Sequence, residues 1–265
     1  MAEDRTLEWE SPNRNLIYEK QGTIAFVTLN RPDKINALNR EMSEGLAQCM
    51  DDYSRDENLR CAIIAGAGGN FSSGGDLKEM AAYLAQAKEA DSVHVYDAPH
   101  LRAMDHTYKP IIAAIDGYCL AQAMFLAVLF CDIRIATPRA TLYSPPKSHA
   151  TFRLDPHWGS GLFRDTIGMP LWWYMGFGNL MYMSLVKKQL TAEEALRWGL
   201  INEIVPVEGL MDRAIELAKL ISQSPPLSVR VSKEFYRRNL ESVNGYDLNL
   251  RDELFRAAAA SATSA

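Results

Sequence analysis

No two cysteines in this chain are spaced Cys-x-x-Cys, and the four present (Cys49, Cys61, Cys119 and Cys131) follow no metal-ligand spacing. Cys119 and Cys131 stand in apolar runs, which predicts buried, reduced thiols and a reducing compartment, the cytoplasm. Positive charge is not in excess either. Lys and Arg number 28 against 33 Asp and Glu, a formal charge of −5. Nucleic-acid partners are met by clustered cations, so this balance excludes them as an expectation, an RNA-binding role included. The N-terminal "MAEDRTLEWESPNRN" is polar and carries acids, unlike a signal or transit peptide. No apolar run reaches the roughly twenty residues of a membrane-spanning helix. The candidate, "GYCLAQAMFLAVLFCD" (Gly117–Asp132), is cut from "IIAAI" by Asp116 and reads as a buried helix. Glycine is concentrated in "GAGGNFSSGGD", but that stretch lacks the Lys-Ser/Thr ending of a P-loop and the G-x-G-x-x-G spacing of a dinucleotide site. No low-complexity linker divides the chain, and the tail "RAAAASATSA" is expected to fray.

What is present suits one substantial core: 265 residues, 48% of them hydrophobic. "TIAFVTLNRP", "CAIIAGAG", "PIIAAIDG", "DIRIAT" and "LINEIVP" read as strands. "NREMSEGLAQCMDDYSRD" has helical spacing, with Met42, Leu46, Cys49 and Met50 on one face. "LKEMAAYLAQAKEAD", "TAEEALRWG", "LMDRAIELAKLIS" and "PLSVRVSKEFYRR" are also helical. Strands alternating with helices predict an α/β domain with largely parallel pairing. "LWWYMGFGNLMYMSLV" (Leu171–Val186) is aromatic and Met-rich, and suits core, a subunit interface or the wall of an acyl pocket.

Two loops share one pattern, in which a strand gives way to small residues and then a helix: "GNFSSGGDLKEM" (Gly69–Met80) and "DGYCLAQAMF" (Asp116–Phe125). Helix starts leave backbone N–H groups without partners. Two such groups converging from separate loops would bind a developing oxyanion, whereas two tight, well-capped turns would do nothing further.

The stretches "NRPDKINALN", "FSSGGDLKEM", "PIIAAIDGYCLA", "CDIRIAT" and "LTAEEALRWGLINEIVP" closely resemble the enoyl-CoA hydratase/isomerase, or crotonase, superfamily, over roughly residues 8 to 240. The resemblance implies a ClpP/crotonase-like α/β spiral of ββα repeats over residues 1–200. A C-terminal helical region over 201–265 would build a homotrimer or hexamer. It implies an acyl-CoA thioester substrate, no cofactor besides the substrate's own coenzyme A, and no metal, membrane or nucleic-acid partner. One oxyanion donor falls on Gly75 and the other on Gln122. The chain holds twelve residues between "GY" and "CD", one more than the family commonly has, so counting from the far end moves the second donor to Ala123. Asp76, Leu77 and Lys78 would line the coenzyme channel, Lys34 would lie near the coenzyme's phosphates, and Phe125 and Trp158 would also meet the substrate.

Hydratases of the family carry two glutamates for water and proton. Here the positions fall on Phe125 (or Leu126 from the far end) and Pro146, and no Asp or Glu lies between Asp116 and Asp132. The resemblance therefore implies an atypical member, doing isomerisation, decarboxylation or carbon–carbon bond chemistry rather than efficient hydration. The alternative is an inactive crotonase-fold binding or scaffold subunit, in which Phe125 or Trp158 would fill the tunnel. Aligning Pro156 with the proline of the family's Gly-x-x-Pro-x-x-Gly-Gly loop puts His157 where some relatives hold a catalytic side chain. His157 is thus the candidate proton carrier, with Asp155 orienting it or acting itself, and His149 a weaker candidate. The other reading of the pair is a surface His beside an N-capping Asp. His94, His100 and His106 are expected at the surface.

Overall fold

The computed structural model describes residues 11–79, 81–82, 99–143 and 171–243. Its main sheet has six strands in the order β1-β2-β3-β4-β6-β9. These are β1 (Leu16–Gln21), β2 (Ile24–Leu29), β3 (Cys61–Gly66), β4 (Ile111–Ile115), β6 (Ile133–Ala136) and β9 (Glu203–Ile204). Only the β1–β2 pair is antiparallel; the rest are parallel. A second sheet, ordered β5-β7-β8, joins β5 (Tyr118–Leu120), β7 (Thr141–Tyr143) and β8 (Leu190–Thr191).

Strand β3 is buried through Cys61–Ile64 and β4 throughout, as parallel strands covered on both faces must be. Side chains alternate between the faces. Ala62, Ile64, Ala113 and Ile115 join the larger core cluster, whereas Cys61, Ile63, Ile112 and Ala114 join a second one. The larger cluster is roofed by α1 (Arg40–Arg55), which buries Met42, Leu46, Cys49, Met50 and Tyr53. This is the face anticipated from spacing, and each such side chain contributes about 1.5–3 kcal/mol by leaving water. Asn39 starts the helix by accepting the Met42 N–H at 3.0 Å. Helix α2 (Pro99–Asp105) packs beside α1.

The apolar run is a buried helix only from Gln122 onward; its start, Tyr118–Leu120, is strand β5 instead, with Tyr118 exposed. Segment α3 begins as Gln122–Phe125 and continues as a π-helical turn over Leu126–Phe130, all five residues of which are buried. No helix among the described residues is long and apolar enough to cross a membrane. All four cysteines are free and buried. Beyond β7 come α4 (Trp172–Met175), α5 (Phe177–Val186), α6 (Ala192–Arg197), α7 (Leu210–Ser222) and α8 (Pro226–Val243). β9 pairs with β6, and Leu210, Ala214 and Ala218 of α7 close the second cluster.

Candidate active site

Strands β3 and β4 are parallel neighbours, so the loops leaving their C-terminal ends, residues 67–76 and 116–121, emerge side by side. They stay together. Phe71 N–H donates to Asp116 O (2.7 Å), Ser72 N–H to Tyr118 O (2.8 Å) and Leu120 N–H to Ser72 O (3.0 Å). Gly117 sits at φ +54°, and a β-carbon there would meet Gly69 O at 2.4 Å, so only glycine allows this approach. Asp116 braces the turn by accepting from Thr137 Oγ1 (2.7 Å) and Arg139 Nε (2.7 Å). Arg139 and Thr137, working against burial, hold its carboxyl below the usual range.

Gly75 forms a parallel bridge with Leu38. Leu38 N–H donates to Gly74 O (2.7 Å) and Asp76 N–H to Leu38 O (3.0 Å). Those bonds flank Gly75, so by strand alternation its own N–H points away from Leu38. That N–H has no acceptor among the described residues. Gln122 is the first residue of α3, where an N–H has no intrahelical acceptor, and it too has none among the described residues. The two loops touch here. A β-carbon on Gly74 (φ +91°) would lie 2.7 Å from Leu120 O, 2.9 Å from Ala121 Cβ and 3.1 Å from Gln122 N.

The turn into α3 is strained. Ala121 holds φ +51°, ψ −120°, a region that favours glycine and costs a side-chain-bearing residue on the order of 1–3 kcal/mol. Its N–H donates to Tyr143 O at 2.7 Å, which ties the turn to β7. A π-helical turn lies downstream at Leu126–Phe130, and the helix itself starts at Gln122. Ala123 is the second helical residue and is buried.

Lys34, Leu77 and Lys78 are exposed, Leu77 at 74%. Lys34 Nζ lies 3.7 Å from Asp33 Oδ2. Asp76 is engaged within the protein by Arg31 and by the N–H groups of Lys78 and Glu79. Phe125 is half-buried and packs against the larger core. Pro146, His149, Asp155, His157 and Trp158 lie outside the described residues, as does His94. His106 is exposed, but the expectation for His100 is corrected: it is 1% exposed. Helix α2 turns His100 onto α1, where Nδ1 meets Ser43 Oγ and Nε2 has no partner among the described residues. Burial alone pushes its pKa down to about 3, so the ring is neutral. No cluster of three or more metal-ligating side chains occurs among the described residues.

Sequence reading missed three residues that build the site. Asn36 Nδ2 donates to Ala67 O (2.9 Å) and Asn70 O (2.7 Å). Ser72 Oγ donates to Asn36 O (2.7 Å) and accepts Gly74 N–H (3.0 Å). Arg31 reaches both Ala37 O and Asp76. The available signal was that a glycine-rich loop needs fixed donors nearby for its carbonyls and its Asp76, and the Asn36 and Arg31 of "NRPDKINAL" supply them.

Residues 19–264 match the family described as Enoyl-CoA hydratase/isomerase. The chain is 31% identical over 233 residues to the short-chain-enoyl-CoA hydratase of Clostridium acetobutylicum, covering 86% of this chain and 82% of that protein. It is 35% identical over 230 residues to an Escherichia coli carnitinyl-CoA dehydratase, with 86% and 82% covered. Among solved structures, an enoyl-CoA hydratase from Mycobacterium avium superposes with a TM-score of 0.74 at 27% identity, covering 95% of this chain and all (100%) of that one.

Proposed function

Because the chain belongs to the enoyl-CoA hydratase/isomerase family and has its crotonase fold, we propose that it stabilises an acyl-CoA thioester enolate between the backbone N–H groups of Gly75 and Gln122. The observation that carries this reading is the convergence at Gly74. It brings two loops together at a point where both N–H groups lack acceptors among the described residues. Gln122 is preferred to Ala123 because α3 starts there. Backbone groups do the binding, so Ala121, Gln122 and Ala123 can stand where relatives use glycine. Lys34, Leu77 and Lys78, exposed beside the Gly75 loop, are taken as the coenzyme side of the site.

Proton transfer is assigned to His157, with Asp155 as its orienting or alternative group. The support is in the sequence: Phe125 and Pro146 stand at the two glutamate positions, and neither moves a proton. A neutral imidazole is a base and an imidazolium an acid near pH 7. Isomerisation, decarboxylation or carbon–carbon bond chemistry then fits better than hydration. Assembly as a trimer or hexamer is supported by the exposed apolar residues Phe177 and Leu185 of α5 and Leu227 of α8. A monomer in light scattering at micromolar concentration would reject it.

The test is a calorimetric and turnover panel of CoA thioesters. Binding of at least one thioester is expected, with crotonyl-CoA hydration at least ~10²-fold below that of a two-glutamate hydratase. No binding to any member would sink the enzyme reading and favour a scaffold. Ordinary hydration rates would overturn the assignment of Phe125 and Pro146. On the substrate found, His157→Ala should lose ~10²-fold in turnover and keep its CoA affinity.

A further inference from the structure

We propose that the Arg31–Asp76 ion pair is the positioning device for the Gly75 donor, and that it governs turnover rather than substrate affinity. The proposal builds on the oxyanion reading above. Gly74 and Gly75 have no side chains to anchor their peptide planes, and glycine loses the most backbone freedom on ordering. The plane that carries the Gly75 N–H must therefore be fixed from outside. On its N-terminal side, Ser72 Oγ accepts Gly74 N–H at 3.0 Å. On its C-terminal side the first available side chain is Asp76.

Asp76 is held at both carboxylate oxygens. Oδ2 accepts from Arg31 Nη1 (3.1 Å) and Nη2 (3.2 Å). Oδ1 accepts the N–H groups of Lys78 (3.2 Å) and Glu79 (3.3 Å). Arg31 Nη1 also donates to Ala37 O at 2.6 Å, so the guanidinium bridges Asp76 to the residue beside Leu38. Leu38 makes the two backbone bonds that flank Gly75. The side chains of Arg31 and Asp76 are only 16% and 18% exposed, where charge-assisted hydrogen bonds outlast those on an open surface. Burial works against Asp76's charge, yet Glu79 N–H, Arg31 and Lys78 N–H keep its carboxyl below the usual range. Asp76, which the family resemblance places along the coenzyme channel, thus acts on the reaction through Gly75.

Asp76→Asn separates the two attachments. An asparagine can keep Oδ1 on the helix start, but it turns an amide donor toward the guanidinium. With the thioester found by the panel, kcat should fall ~10–100-fold in Asp76→Asn and Arg31→Ala, as for a donor displaced by about an ångström. KM should stay within about threefold, and Arg31→Lys should fall in between. In the same proteins, amide exchange at Leu38 and Asp76 should speed about tenfold while Ile63 and Ala113 keep their protection. Faster exchange with kcat unchanged would make the pair merely structural and overturn the proposal. So would a loss that appears in KM alone, or exchange that stays at the wild-type rate. A wild type inactive on every thioester would sink the functional reading instead, and the exchange rates would then decide whether the pair holds the donor.

Discussion

Helix α8 and the paired loops beyond β3 and β4 treat polar groups in opposite ways. On α8, Lys233 is matched twice, by Asp132 Oδ2 and Lys109 O, each at 2.8 Å. Arg237 is matched by Asp105 Oδ1 (3.0 Å) and Asp105 O (3.3 Å), with its guanidinium over the Phe130 ring. Burial pulls the Lys233 pKa down while Asp132 works to keep the charge. At the loops, Gly75 and Gln122 keep N–H groups without acceptors among the described residues, and Ala121 holds a glycine-like conformation. Both regions bear on one helix. Gln122 opens α3, and Asp132 lies two residues beyond its far end, where it accepts the Ile111 N–H at 2.8 Å. Matched groups hold the region beyond that end of α3, whereas the N–H groups at its start lack acceptors among the described residues.

The sharpest way to break this contrast is Gly74→Ala. A side chain at φ +91° and 2.7 Å from Leu120 O must push the loops apart. Turnover should fall ~10²–10³-fold, about 3–4 kcal/mol of transition-state stabilisation, with circular dichroism showing a folded protein. Lys233→Met acts on the matched region and should cost about 2–3 kcal/mol in a urea titration, less than a fully buried pair because Asp132 is partly exposed. Its turnover at 25 °C should stay within about threefold of wild type. An activity loss as large as that of Gly74→Ala would erase the distinction between the regions.

His100 shows an unmatched group of another kind, one in the core. Its folded pKa lies below the unfolded value, so the unfolded state binds more protons as pH falls. Stability should drop from pH ~6.5 downward and level off below pH ~3, with about 2 kcal/mol lost between pH 7 and 5. His100→Leu should flatten that slope, and an unchanged slope would mean that other groups set it. Ala121→Gly is the smallest change. Relief of the positive φ should raise stability by about 1 kcal/mol, and a loss would mean that the turn is not strained.

Where the sequence was legible, a single periodicity decided the structure. The α1 stripe of Met42, Leu46, Cys49 and Met50 is buried as its spacing requires, and β2, β3, β4 and β6 lie in the predicted apolar runs. Strand β1 went unread because its Leu16–Tyr18 alternation is short and ends in Glu-Lys-Gln at a sheet edge. Strand β5 was absorbed into the apolar run, since Tyr118–Leu120 looks like the start of the helix. His100 was misread because a neutral imidazole on a short helix carries no local sign of burial. The loops were found through glycine, but Arg31, Asn36 and Ser72 act across 31 to 45 residues of sequence, beyond any local pattern.

A crystal structure of the protein with a bound, unreactive acyl-CoA thioester addresses the two-donor site most directly. The thioester oxygen should lie about 2.7–3.1 Å from both Gly75 N and Gln122 N. An oxygen bonded to neither, or a thioester lying outside the crevice between the 67–76 and 116–121 loops, would contradict it.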